Sequence, residues 1–124
     1  MRLLLDTQVV LWTLSGERDL SEAAIRTIAD ADDVVMSVVS YAEIGVKAAV
    51  GKLRIPDDLH DRVTSAGVRT LGLSPGHALE VARLPLHHRD PFDRLIVAQA
   101  RTEGLTLVTA DGRLGAYDVP LVAA

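Results

Sequence analysis

The opening stretch Arg2-Leu3-Leu4-Leu5-Asp6-Thr7-Gln8-Val9-Val10-Leu11-Trp12-Thr13-Leu14 decides the fold class. Arg2 to Leu5 is a short apolar run closed by an acid, which reads as a strand buried on both faces; Val9 to Leu14 leaves little polar face and reads as a helix. A strand that passes at once into a helix is the opening unit of an α/β sheet, and the same alternation continues toward the C-terminus. Ser21 caps a helix running to about Ala31, with Ala24, Ile25 and Ile28 on its inner side. Val34 to Val39 is β-branched and short, hence a second buried strand. Ser40 and Glu43 have capping-box spacing, and Ile44, Val46, Lys47, Ala48 and Val50 carry a helix that Gly51 ends. Pro56-Asp57 opens another helix and Val68 to Leu73 is a third strand. Ser74-Pro75 and Asp90-Pro91 are each a cap followed by a first-turn proline. Phe92 to Ala100 continues as a helix that Gly104 stops, Leu105 to Val108 is a strand, and Val119 to Val122 an edge strand. The expectation is one α/β domain over residues 1–124, with a central, mostly parallel sheet of four to five strands flanked by helices.

Size and composition agree. A chain of 124 residues that is 48% hydrophobic can bury one real core without staples. It has no cysteine, which excludes a disulfide framework, thiolate zinc sites and cysteine nucleophiles, and a reducing cytoplasm is the natural compartment. The opening apolar run is too short for a signal peptide and no run approaches the roughly 18 apolar residues of a membrane span, so no membrane contact is expected. Net charge is −4, the wrong sign for a generic phosphate-backbone binder. Yet eleven of the thirteen cations are Arg, whose planar fork suits phosphate or carboxylate.

Four acids should share one sheet edge. In open parallel sheets the ligand site lies beyond the carboxyl ends of the strands. Asp6 follows the first strand, Glu43 lies in the helix after the second, Asp93 in the first turn after Asp90-Pro91, and Asp111 after Leu107-Val108-Thr109. Four carboxylates brought within a few ångströms repel unless a cation neutralises them, and an all-oxygen set is what Mg²⁺ or Mn²⁺ prefers. With those four set aside, acids and bases are equal in number, and the negative net charge stops opposing a polyanionic substrate.

Each residue also has a plainer reading. Asp6 suits a helix N-cap, Glu43 the reciprocal half of a capping box with Ser40, Asp90 a cap, Asp93 a helix dipole, and Asp111-Gly112 a turn. His87 and His88 read as loop residues near the mouth of the site. Arg89, Arg94 and Arg113 flank acid positions and are candidate phosphate contacts, or else local ion pairs. The stripe Val9, Val10, Leu11, Trp12 and Leu14 reads as core, with a partner surface as the alternative.

Together these residues resemble the PIN-domain ribonucleases, and within them the VapC-like toxins of bacterial type II toxin-antitoxin pairs. The resemblance rests on Leu3-Leu4-Leu5-Asp6-Thr7 with Leu11-Trp12, on Ser37 to Lys47 with Gly51-Lys52-Leu53, on His88-Arg89-Asp90-Pro91-Phe92-Asp93-Arg94-Leu95-Ile96 with Ala98-Gln99-Ala100, and on Leu107-Val108-Thr109-Ala110-Asp111. It implies a PIN-like fold and an acidic metal site at Asp6, Glu43, Asp93 and Asp111. Asp90 would be an outer contributor, with Thr7 and Thr109 as supporting hydroxyls. It also implies Mg²⁺- or Mn²⁺-dependent hydrolysis of RNA and a cognate small antitoxin, whose basic or extended segment would suit the negative pocket. A helix as apolar as Val9 to Leu14, with few aromatics in the chain, leaves more apolar surface than one small core covers, so a homodimer is expected, and the resemblance points the same way. Relatives often carry His where Gln8 stands and Trp where Ala42 stands; neither change touches a carboxylate.

Three other readings compete. A haloacid-dehalogenase-type phosphatase needs a second Asp at the place Gln8 occupies, and a receiver domain needs a late strand-end Lys, whereas Lys47 and Lys52 lie mid-chain. The third is a catalytically inactive PIN-like module used only for binding, which a metal-dependent cleavage assay separates from the nuclease.

Overall fold

The computed structural model describes residues 1–87 and 89–124. Strand β1 (Arg2–Leu5) lies at the centre of a sheet whose other members are β2 (Asp33–Ser37), β3 (Arg69–Leu71), β4 (Thr106–Thr109) and β5 (Leu121–Ala123). The spatial order is β3-β2-β1-β4-β5 and all four pairings are parallel, with Leu5 opposite Met36 on one side and Val108 on the other. Helices make the crossovers: α1 (Thr7–Ser15), α2 (Glu22–Asp30), α3 (Val38–Ala49), α4 (Leu59–Ser65), α5 (Pro75–Glu80) and α6 (Pro91–Glu103). Short 3₁₀ turns follow at Val81–Arg83 and Gly112–Ala116.

The pleat of β1 explains why both sheet faces are covered. Leu4 joins Val35, Ile96, Val97 and Leu107 in one core, whereas Leu3 and Leu5 point the other way to Val9, Val10, Met36 and Val63. From β1 the chain builds outward to β2 and β3, then returns to add β4 and β5 on the opposite side. The order therefore reverses between β1 and β4, the place where a crevice opens beyond the carboxyl ends of the strands.

Several local expectations are corrected. The second strand ends at Ser37, and α3 begins at Val38 rather than after a Ser40 cap. Ser37 is the N-cap: its hydroxyl accepts from the Val39 N–H (2.9 Å) and donates to the buried Gln99 Oε1, so a tertiary partner ends the strand where β-branched Val38-Val39 suggest it continues. Ser40 instead accepts from the Thr7 hydroxyl (2.7 Å), which leaves Glu43 outside any capping box. On α2, Ile25 is 52% exposed, while Ala24 is buried and Ile28 packs against the core. Helix α4 starts at Leu59, with Pro56 in the preceding turn accepting from the Leu59 N–H. Asp111 caps the Gly112–Ala116 3₁₀ turn. The α1 stripe divides: Val9 and Val10 are core, whereas Leu11 and Trp12 are only partly buried and face a cleft. Ser74 and Asp90 cap as expected, and Gly104 ends α6 at φ 67°, a left-handed conformation that glycine adopts without strain.

Candidate metal centre

At the point where strand order reverses, a cleft of about 760 Å³ opens beyond the ends of β1 and β4. Asp6 stands at its floor as the N-cap position of α1, its N–H bonded to Val108 O (2.9 Å) across the two central strands. Thr109 ends β4 beside it and donates its hydroxyl to Asp6 Oδ2 (2.7 Å) while accepting the Asp111 N–H (3.0 Å). One buried hydroxyl thus orients two of the expected acids.

Glu43 reaches the same cleft from the second turn of α3. Lys47, one turn on, donates to Glu43 Oε2 (2.7 Å), while Oε1 is buried and has no hydrogen-bond partner among the described residues. Asp93 and Asp90 enter from the start of α6, where Asp90 Oδ1 accepts from the Phe92 N–H (2.8 Å) and the Asp93 N–H (3.3 Å). Asp111 completes the wall, chelated by Arg113 through Nε (2.9 Å) and Nη2 (2.8 Å).

Electrostatics records the crowding. Burial pushes the Asp6 carboxyl above the ordinary Asp range, and the charges of Glu43 and Asp111 add to the rise, against hydrogen bonds from Thr109 and Thr7 that lower it. Lys47 is raised chiefly by its bond to Glu43, with help from Asp90 and Asp93. Among the described residues no three Asp, Glu or His side chains are drawn together tightly enough to enclose an ion; Glu43 and Asp111 are turned instead to Lys47 and Arg113. Both cations are solvent-accessible and hold their partners from the open side. The all-oxygen donor set, the unpartnered Glu43 Oε1 and the like-charge strain on Asp6 fit a hard divalent cation.

The expected residues fall into three groups. Asp6, Thr7, Glu43, Asp90, Asp93 and Asp111 all line the cleft, with Arg113 beside them. Thr109 stands behind Asp6. Two of the candidate phosphate contacts are elsewhere. Arg94 is 8% exposed and does not line the cleft; its guanidinium donates to the carbonyls of Val81, Leu84 and Pro85, tying the Val81–Arg83 turn to α6. Arg89 is exposed outside it. His87 stacks edge-on against Tyr117, and His88 lies outside the described residues.

The sequence reading missed Lys47, Lys52, Arg18 and the cleft-facing side of Trp12. Lys47 was legible as an i,i+4 partner of Glu43. Arg18 and Lys52 come from loops whose approach to the cleft has no local signal.

A family model described as the PIN domain matches residues 3–120. The chain belongs to the PIN-domain family. This PIN domain is 34% identical over 120 residues to Ribonuclease VapC22 of Mycobacterium tuberculosis, a match covering 94% of this chain and 92% of that protein. In fold it is similar to VapBC2 from Rickettsia felis bound to a DNA fragment from its promoter, with a TM-score of 0.75, 17% identity, and 99% and 98% of the two chains covered. DNA-bound VapBC from Salmonella typhimurium gives a TM-score of 0.72 at 15% identity, covering 99% and 98%. Among the described residues, no helix is long and apolar enough to cross a membrane.

Proposed function

We propose that this PIN domain is a Mg²⁺- or Mn²⁺-dependent ribonuclease, the toxin of a toxin-antitoxin pair, and that it works as a homodimer. The observation that carries the reading is the arrival of Asp6, Glu43, Asp93 and Asp111 from four separate chain segments in one cleft, with Asp6 strained by burial and by its acidic neighbours. The likeness to Ribonuclease VapC22 supports RNA as the substrate, and the VapBC complexes among the structural relatives support a small antitoxin partner.

The four carboxylates would hold the cation, with Asp90 as cap of the segment carrying Asp93. When bound, a divalent cation supplies charge neutralisation at the phosphoryl oxygens and a more acidic water. The chain's own residues set the rest. Thr109 keeps Asp6 in one rotamer, and Thr7 ties the start of α1 to Ser40 on α3, so the two helices bearing Asp6 and Glu43 keep a fixed spacing. Glu43 would serve the cation or, through its buried Oε1, which has no hydrogen-bond partner among the described residues, accept a hydrogen bond from the attacking water. Lys47 and Arg113 neutralise Glu43 and Asp111 when substrate is absent and turn toward phosphate when it arrives. An antitoxin Arg or Lys reaching the same carboxylates would block cation and RNA together.

The test is cleavage of single-stranded RNA in MgCl₂ or MnCl₂ against EDTA, with wild type and Asp93→Asn. Cleavage by wild type only when the cation is present, lost in a folded Asp93→Asn protein, is expected. Full metal-dependent cleavage by Asp93→Asn removes Asp93 from the site, and no cleavage by wild type leaves the inactive binding module.

A further inference from the structure

We infer that Trp12 and Arg18 form a subsite for an unpaired nucleobase of the substrate strand, adjoining the carboxylate end of the cleft; the inference rests on the ribonuclease reading and names how its substrate is gripped. Gln8, Leu11 and Trp12 recur at helical spacing on α1, share one face and all line the cleft, whereas Val9 and Val10 face the core. From Asp6 to Trp12 the helix rises by about 9 Å, so the stripe leads away from Asp6 along one wall of the cleft. There the chemistry changes. The Arg18 guanidinium carbon lies 4.2 Å from the Trp12 ring centroid, a stacked cation–π pair in a cleft that also carries the carboxylates and lysines.

Charge selects the occupant. Both lysines of the chain, Lys47 and Lys52, line this cleft together with Arg18; Lys47 is paired with Glu43, and Lys52 and Arg18 add positive charge to the lining although the protein as a whole is acidic. An aromatic ring and a guanidinium plane in a cleft that also holds lysines suit a chain that alternates flat bases with phosphates, since bases stack on both aromatic and Arg surfaces while cations meet the backbone. A purely apolar peptide would offer the Lys52 and Arg18 charges no anion. Stacking requires a base released from pairing, so the substrate class is single-stranded RNA, and because every base has a π-face the subsite sets strandedness more than sequence.

Trp12 is the chain's one tryptophan, so its fluorescence reports on this subsite alone. The probe is a short single-stranded 2′-O-methyl oligoribonucleotide in MgCl₂, beside an abasic strand with the same number of phosphates and the same sequence as a duplex. Expected is saturable quenching by the single strand and little by the abasic strand or the duplex. Trp12→Ala should weaken single-strand binding about tenfold, the loss of one stacked base, and Trp12→Phe should restore most of it. Equal quenching by the abasic strand, or undiminished binding by a folded Trp12→Ala protein, overturns the subsite. Hydrolysis of unmodified RNA is scored separately. Quenching without hydrolysis sinks the nuclease and keeps the base site; hydrolysis without quenching sinks the base site and keeps the nuclease.

Discussion

Asp6 costs the protein stability at the place where the proposed cation would be held. It is buried at the junction of β1 and α1, its carboxyl lifted above the ordinary 3.8 by loss of solvent and then by Glu43 and Asp111. Because the folded state holds this proton more tightly than the unfolded chain, stability declines as pH rises from about 3.8 through the raised folded value, and above it the penalty is complete. Asn keeps an oxygen to accept from Thr109 and carries no charge. In EDTA, Asp6→Asn should therefore melt roughly 2–5 °C above wild type at pH 7 and level with it near pH 3.5. Added MgCl₂ should raise the wild-type midpoint and leave that of the variant nearly still. A variant less stable than wild type at pH 7 in EDTA would show that Asp6 is held by favourable contacts rather than strained by burial and by its acidic neighbours. Arg94 shows the opposite economy, a buried charge spent on three carbonyls of a turn, which is why its place beside Asp93 in sequence misleads.

Helix termini carry most of the site, and they explain what was legible beforehand. Asp90 caps α6 through two backbone N–H groups and so sets where Asp93 enters the cleft. Asp90→Ala should cost about 1 kcal/mol and slow cleavage by displacing Asp93, whereas Asp90→Ser, which can cap, should recover both the melting temperature and the rate. Recovered stability with a persistently slow rate would mean that the Asp90 carboxylate itself touches cation or substrate. Local codes such as Asp90-Pro91, Ser74-Pro75 and Gly104 were readable because cap chemistry acts within a few residues. The start of α3 was not. Ser37 and Ser40 are both competent caps, and the choice is made by Gln99, far along the chain, which takes the Ser37 hydroxyl, and by Thr7, which takes Ser40. The four acids were legible through the strand-end rule, and the local pairs Glu43–Lys47 and Asp111–Arg113 follow from spacings of four and two residues; that Arg18 and Lys52 join the same cleft was hidden because their loops approach it through tertiary packing alone.

At the scale of the whole molecule, a continuous uncovered apolar row runs along α3 rather than α1, whose large side chains are used by the core and the cleft. Val38, Ala42, Gly45, Val46 and Ala49 recur at intervals of three and four and are all exposed, with Val50 continuing the stripe. Val46 and Val50 are 53% and 64% exposed, and no charged side chain interrupts the row. Gly45 is the informative member. A methyl group at that position would meet nothing within 4 Å, so packing inside one chain does not require glycine there, although glycine in a helix costs about 1 kcal/mol against alanine. A small residue kept at such a cost in an apolar row suits close approach of a second helix, and a two-fold axis would bring α3 of another copy against it. Sedimentation at micromolar concentration should show a homodimer, and Val46→Glu should yield folded monomers with an intact cleft. Gly45→Ala sharpens the test, because it should stabilise an isolated chain by roughly 0.5–1 kcal/mol yet weaken a dimer in which the helices touch at that residue. A dimer that survives both substitutions unweakened would place the interface on another face, and a monomeric wild type would leave the α3 stripe without this partner.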